Sequence, residues 1–266
     1  MMRLMLKIVV GFFLLFLNPL NVHAADSGFD IMARVDARDD GDHRTDNITM
    51  TLIDKNGHER QRKLQSFRKD EGSTVSQLLF FVEPANVRNT GFLTYDYQDP
   101  SRDNDQWIYL PELYKTKRIA SSDKSQPFMG SDFSYADMTR RILDEWDFKV
   151  LGEKEVRGEM TWLIEAIPVS NEVEKRYGYS KSVLFVHPEL DMVVRAVHWR
   201  TDGKLKYLDI AKLQEIDGVW TGTELDMRTV EGKKTIHRTI MSFGNVRYNQ
   251  ELDESIFTQR RLEKGL

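Results

Sequence analysis

The sequence predicts a mainly β protein built on one large antiparallel sheet, with a few short helices to cover it. Apolar and polar residues alternate in many short segments, which is typical of strands with one solvated face. Turn residues separate these segments at the spacing of an antiparallel meander, and we expect about eleven strands. Helical segments are few, so the sequence lacks the crossover helices that a parallel α/β sheet requires.

The first half of the chain begins with a predicted hairpin. Ile48, Met50 and Leu52 alternate with polar residues, turn-forming residues fill 54–57, and 59–68 alternate again with hardly any apolar content. We therefore expect the second strand of the hairpin to be solvated. Four further strands are predicted at Val75–Val82, Gly91–Tyr97, Gln106–Leu110 and Tyr114–Ile119.

The second half of the chain repeats this rhythm. Segments 156–158 and 187–189 each separate two predicted strands, and Asp217-Gly218 and Glu231-Gly232 join the last three. No linker, charge block or internal repeat divides the chain, so we expect a single domain over 25–266.

Four short helices are predicted among the strands. The first two have apolar residues at helical spacing, and Ser27 and Ser131 precede them as N-caps. The four segments are Phe29–Arg38, Asp132–Leu143, Asn171–Arg176 and Asp253–Leu262.

The N-terminal 24 residues are predicted to be a cleaved signal peptide. Arg3 and Lys7 precede an apolar run over 8–17, and small residues occupy the two positions of Val22-His23-Ala24 that a signal peptidase reads, so we expect cleavage after Ala24. The apolar run is about half of the roughly 20 residues that span a bilayer, which favours cleavage over a permanent anchor. We expect export, with the periplasm as the destination.

Composition excludes several kinds of chemistry. The chain has no cysteine, so it cannot form disulfides, thiolate zinc sites, a cysteine nucleophile or a lipidated cysteine. The leader holds two of the 38 basic residues and none of the 42 acidic ones, which leaves a net charge of −6 on the rest. This charge disfavours a phosphate-binding protein, and nucleic acid is not an expected partner.

Enzymatic motifs are weak throughout the sequence. The histidines beyond the leader show no close spacing of metal ligands, and Ser131 does not lie in a nucleophile elbow. Asp144, Glu145 and Asp147 could be paired acids, although neighbouring acids of this kind are more typical of a solvated face. The sequence therefore favours a protein without catalytic residues, metal or cofactor.

Several segments in order along the chain resemble one family. The most specific is Met129-Gly130-Ser131-Asp132-Phe133-Ser134-Tyr135. The other segments are Trp107–Lys115, Arg118–Lys124, Gly218–Trp220 and Leu252–Thr258. Together they are similar to the LolA-like family, in the branch named for outer-membrane lipoprotein sorting, over essentially the whole chain after the leader.

This resemblance implies a fold and a function. The implied fold is an unclosed, strongly bent antiparallel sheet, a half-barrel, whose concave side carries short helices and an apolar cavity for acyl chains. The implied partners are a lipid or lipoprotein cargo, with an inner-membrane RND-type exporter and an outer-membrane acceptor. An accessory or scaffold subunit of such an exporter is the alternative function, and an envelope hydrolase is a third.

Two groups of residues are candidates for the site that binds cargo. The candidate lid residues are Phe128, Met129, Phe133 and Tyr135, flanked by Pro127 and Gly130 as possible hinges. They could equally pack a helix onto the sheet. The candidate cavity residues on alternating strand positions are Met50, Leu52, Phe80, Trp107 and Tyr109. Period-two alternation shows only that such residues share a face with their strand neighbours.

Overall fold

A computed structural model describes residues 26–99 and 101–266, so the predicted leader lies outside the described residues. Thirteen strands form one antiparallel sheet that is not closed into a barrel, which confirms the predicted fold class. Each predicted strand segment contains one of them, so the expected count of about eleven was two too low. The strands are β1 His43–Asp54, β2 Glu59–Asp70, β3 Thr74–Glu83, β4 Gly91–Tyr97, β5 Asp105–Leu110, β6 Lys115–Arg118, β7 Trp146–Val156, β8 Glu159–Pro168, β9 Tyr179–His187, β10 Met192–Arg200, β11 Leu205–Ile216, β12 Val219–Glu231 and β13 Lys234–Tyr248.

The chain enters the sheet at its centre. Strand β1 pairs with β2 on one side and with the last strand, β13, on the other. From there β2 to β6 lead outward to one edge, while β7 to β13 lead from the opposite edge back to the centre. Residues 119–145 connect the two edges and pack across one face of the sheet. We call this connection the crossover segment and the face that it covers the inner face.

The strand register places an apolar row across the inner face. Its members lie on the five neighbouring strands β8 to β12, and each pairs directly with the next. The row consists of Ile164, Leu184, Ala196, Leu208 and Met227. Without a covering segment these apolar side chains would face water. The alternation in the strands therefore implies that another part of the chain covers the row.

A polar row runs beside the apolar row on the inner face. Its members also pair strand to strand, from β9 to β13. The row consists of Ser182, His198, Lys206, Thr229 and His237. The first four are buried, and buried polar groups need partners. Ser182 and His198 pair with each other, and the crossover segment supplies partners for Lys206 and Thr229.

The opposite, outer face is covered at the β3 to β6 edge by a helix near the C-terminus. Leu262 of this helix and Phe257 pack on Leu78, Phe80 and Leu93. The alternate residues of β3 belong to the inner-face core, so this strand is buried on both faces.

Three of the four predicted helical regions contain a helix. The helices are α1 Gly28–Ala37, α2 Asn171–Tyr177 and α3 Gln259–Lys264. Ser27 caps α1 as predicted, and its reciprocal bond with Asp30 completes a capping box. Helix α2 ends at Gly178, which adopts a left-handed conformation (φ +73°) that suits glycine. Helix α3 is shorter than predicted, because a separate 3-10 turn over Glu254–Ile256 precedes it.

The predicted helix over Asp132–Leu143 is wrong. The crossover segment contains only short 3-10 turns there, at Ala136–Met138 and Leu143–Glu145. The carboxylates of Asp132 and Asp137 accept hydrogen bonds from the sheet and from Ser134, so their side chains stabilise an irregular backbone. The Ser131 hydroxyl donates to the Phe133 carbonyl and does not cap a helix.

Candidate functional site

An apolar cavity of about 380 Å³ lies between the inner face, α1 and the crossover segment. Its size falls within the range of about 300 to 1,000 Å³ that is usual for small-molecule sites. The sheet contributes Leu184, Val193, Ala196, Leu208, Leu225 and Met227, and the cover contributes Met32 and Val35 of α1 with Phe133, Ala136 and Leu143 of the crossover segment. The apolar cavity is therefore walled by three separate parts of the chain.

A second cavity of about 570 Å³ adjoins the first and has a more polar lining. We call it the polar chamber. The two cavities share the lining residues Asp36, Asp40, Arg140, Arg141 and Leu143. A ligand that spans both would therefore meet an apolar environment at one end and a charged one at the other.

One end of the apolar cavity borders a buried cluster around Asp137. Both carboxylate oxygens of Asp137 accept from the Tyr179 hydroxyl at 2.8 Å, and the Lys206 ammonium lies 3.2 Å from Oδ2. Burial raises the pKa of Asp137, but Lys206 and the hydrogen bonds from Ser134 outweigh that effect and hold it at about 2. The cluster is a closed ion pair that fixes the crossover segment to β9 and β11.

His198 lines the apolar cavity beside this cluster. Its Nδ1 lies 2.7 Å from the Ser182 hydroxyl, and its ring stacks on Tyr179 with centroids 4.5 Å apart. Burial lowers the pKa of His198 to about 3, and Arg141 contributes in the same direction. The imidazole is therefore neutral at physiological pH and keeps the wall uncharged.

A second buried anchor lies at Asp132. Its Oδ2 accepts from Thr239 at 2.7 Å and lies 2.6 Å from Nδ1 of His237, while Oδ1 accepts from Thr229 at 2.5 Å. The Asp132 amide also donates to the Thr239 hydroxyl. Five residues apart, Asp132 and Asp137 thus bind the crossover segment to the polar row of the sheet.

Arg141 lies at the border of the two cavities. Its guanidinium carbon is 4.3 Å from the centre of the Trp146 ring, and its Nη1 is buried without a hydrogen-bond partner among the described residues. Burial lowers the pKa of Arg141, yet a guanidinium stays charged at any physiological pH. Arg140, its neighbour in the polar chamber, is matched by Asp36 at 3.0 Å.

Asp96 of β4 lines the polar chamber. It is 7% exposed; its Oδ2 accepts from the Arg140 amide, and its Oδ1 has no partner in the described part of the chain. Burial raises the pKa of Asp96 to about 7, against the weaker opposing effect of Arg140. This carboxyl group is therefore partly protonated near neutral pH.

The structure places the nine predicted site residues in two groups. Met50, Leu52, Phe128 and Phe133 are buried in the inner-face core, with Met129 and Tyr135 packed against it. Phe80, Trp107 and Tyr109 belong to the outer-face cluster under α3. Of the nine residues, Phe133 lines the apolar cavity.

The sequence analysis missed the cavity walls contributed by β9 to β12. The pattern that could have identified these walls is the presence of polar residues on the same strand face as apolar ones. His198 lies on the same face of β10 as Ala196, and Lys206 lies on the same face of β11 as Leu208. Polar residues therefore occur where alternation predicts burial. Such residues mark a covered face whose cover supplies partners.

The described residues contain no candidate for a metal-ligating cluster and no candidate for a membrane-spanning helix. In 26–99 and 101–266, no three His, Asp or Glu side chains come together as a metal site. No helix in the same ranges is long and apolar enough to cross a bilayer.

Comparisons with known proteins agree with this architecture. A family model described as "Uncharacterized protein" matches residues 73–264, and no curated protein matches the chain. A DUF1329 family protein from Desulfovibrio piger has a similar structure, with 27% identity, a TM-score of 0.79 and coverage of 88% of this chain and 97% of its own.

Two other solved structures share the fold. An outer membrane lipoprotein-sorting protein domain from Vibrio parahaemolyticus matches with 27% identity and a TM-score of 0.79, over 89% of this chain and 98% of that one. A LolA superfamily protein from Nitrosomonas europaea, at 18% identity and a TM-score of 0.66, covers 89% of this chain and 100% of its own, and shows the fold alone.

Proposed function

Because the chain belongs to the LolA-like family, we propose that it is a periplasmic carrier that shields the acyl chains of a lipid or lipoprotein during transfer across the envelope. The carrier works by reversible burial and needs no covalent step. The similarity to a lipoprotein-sorting protein domain from Vibrio parahaemolyticus supports this class of cargo.

The observation that carries the proposal is the apolar cavity beneath α1 and the crossover segment. Moving an acyl chain through water exposes methylene groups, and hiding each one stabilises the complex by about 0.8 kcal/mol. Apolar walls from the sheet and from both covers suit this task. The neutral state of His198 extends the uncharged wall to the polar row.

Of the two covers, α1 is the one we expect to move. The crossover segment is fixed by buried hydrogen bonds of Asp132 and Asp137. Helix α1 instead depends on a small apolar face and on partly exposed ion pairs, such as Arg34 with Asp191 at 3.3 Å. Such pairs contribute about 1 kcal/mol or less, so displacing α1 requires less free energy. In this arrangement Phe133 stays in place with the crossover segment, and it is the residue of the predicted lid that contacts the cargo.

The proposal places the protein in the periplasm after removal of residues 1–24. The basic, apolar and small-residue regions of that segment support export. The absence of cysteine is compatible with an oxidising compartment.

The test is native mass spectrometry, with solvent extraction, of the leaderless protein purified without detergent from its own periplasm. We expect a discrete added mass that releases an acylated molecule. A bare protein, shown to be folded in the same preparation, would contradict the carrier function and make co-purification with an exporter the next experiment.

A matched pair of variants on β10 sharpens the test. Ala196→Phe places a ring in the apolar cavity and should abolish the added mass, because Ala196 lies on the wall. Val197→Phe places the same ring at the opposite face of the same strand, where Val197 lies beside Arg195 and Tyr207, and should leave loading intact. Equal loading of both variants would show that the ligand does not occupy this cavity.

A further inference from the structure

The charge balance around the two cavities singles out one arginine. Arg140 is matched by Asp36, and Arg68 is matched by Asp40 and Asp70. Arg38 donates to the carbonyl oxygens of Asp39 and Trp220. Arg141, in contrast, has neither a carboxylate within 4 Å nor a hydrogen-bond acceptor for its side chain among the described residues.

Two further carboxylates that line the cavities do not neutralise Arg141 either. Asp137 is engaged by Lys206, Tyr179 and Ser134. Asp96, in the polar chamber, carries a raised pKa of about 7 and is therefore only partly charged at neutral pH. Arg141 is therefore an uncompensated cation at the border between the apolar cavity and the polar chamber, and its buried Nη1 has no hydrogen-bond partner among the described residues.

The position of the guanidinium is fixed by its surroundings. Arg141 stacks on Trp146, whose ring in turn meets Tyr177 edge to face at 5.1 Å. Stacking holds the plane of the guanidinium, and none of its nitrogens donates a hydrogen bond within the described residues. A planar fork of this kind matches the geometry of a carboxylate or phosphate.

We propose that Arg141 binds the anionic head group, a carboxylate or a phosphate, of an amphiphile whose chain lies in the apolar cavity. The proposal rests on the proposed carrier function and adds the chemical class of the cargo. The chain passes beneath α1 along the row that contains Ala196 and Leu208, and the head group lies at the border with the polar chamber.

The test compares three ligands with the same chain: dodecanoate, dodecyl phosphate and the neutral dodecanol. Each displaces a fluorescent fatty-acid probe from the delipidated protein at pH 6, where Asp96 is mostly protonated and both anionic ligands carry a charge. We expect one or both anions to bind at least about tenfold more tightly than dodecanol, because charge-assisted hydrogen bonds contribute that much. The two anionic ligands distinguish carboxylate from phosphate recognition.

Variants assign the preference to the guanidinium. Arg141→Gln should bring the affinity for the anions close to that for dodecanol, with dodecanol binding unchanged. Arg141→Lys keeps the charge but not the fork and should retain part of the preference. Arg195→Gln is the matched control, because Arg195 lies at the outer face, and it should behave like the wild type.

The outcomes separate the two proposals. If none of the three ligands displaces the probe, or the probe itself does not bind, the carrier function fails and this inference fails with it. If all three bind equally to the wild type, or if Arg141→Gln folds and keeps the preference, the head-group role of Arg141 is overturned while the carrier function stands. If Arg141→Gln does not fold, an unchanged preference in Arg141→Lys overturns the role of the fork.

Discussion

Replacing Asp96 with asparagine should stabilise the protein at pH 8 and leave its stability nearly unchanged at pH 4. Asparagine reproduces the shape of the protonated carboxyl group and can keep the bond from the Arg140 amide to its carbonyl oxygen. It also removes the need to hold a charge in a site that is 7% exposed.

The magnitude follows from the pKa of Asp96, which burial raises from 3.8 to about 7. Between these values the folded protein holds a proton that the unfolded chain has lost, so the free energy of unfolding falls as the pH rises. Each pKa unit corresponds to about 1.4 kcal/mol. The wild type should therefore lose about 4 kcal/mol between pH 4 and pH 8 through this group, and Asp96→Asn should not.

Urea unfolding at pH 4, 6 and 8 measures this difference. Subtracting the wild-type curve from the variant curve cancels every other titrating group, including His198, whose lowered pKa acts in the opposite direction. Asp147→Asn, at an exposed position on β7, is the control and should run parallel to the wild type. Parallel curves for Asp96→Asn as well would refute the argument that burial governs this carboxyl group.

Three further substitutions test the cover of the apolar cavity. Phe133→Asp should abolish ligand retention while a cooperative thermal transition persists; loss of that transition would instead favour a packing role for Phe133. Lys206→Met should lower the free energy of unfolding, measured in urea, by about 3 to 5 kcal/mol, because it leaves the charge of Asp137 buried and uncompensated. Adding Asp137→Asn should restore part of the loss, and no recovery would contradict the ion-pair argument. Gly28→Ala should accelerate ligand exchange in a stopped-flow assay, because the added Cβ would lie 2.7 Å from the backbone of Phe148 and displace α1 from β7; an unchanged exchange rate would show that α1 is not the moving cover.

Sequence patterns predicted the sheet well because alternation directly reflects burial of one strand face. The turn at Asp54 is an example: its carboxylate accepts from the amides of Asn56 and His58, as expected for an Asp in a tight turn. The pattern failed in the crossover segment. Helical spacing of Phe133 and Ala136 placed both on the inner face, but side-chain bonds of Asp132 and Asp137 determine the backbone there.

The site was harder to predict than the fold. In β3 the residues Leu78, Leu79, Phe80 and Phe81 are all apolar. Such a continuous run does not show which of the alternate residues face the inner side of the sheet and which face the outer side. Phe80 consequently lies under α3, while Phe81 faces the crossover segment. The cavity forms only where distant segments meet, and its walls depend on the pairing order of β9 to β12. The polar residues His198 and Lys206 mark a covered face locally, but no local pattern gives that pairing order.

The pairing of β1 with β13 has a consequence for how the chain folds. These central strands lie almost 200 residues apart in sequence, so their contact closes a very long loop and belongs to the slowest class of folding events. A chain that emerges from its N-terminus can assemble β1 to β6 early, but β1 keeps an unpaired edge until β13 arrives. A chain cut short before Lys234 would expose two facing edges, on β1 and β12, at the middle of the sheet, and unpaired edges promote aggregation. Completion of synthesis is thus a condition for a stable sheet.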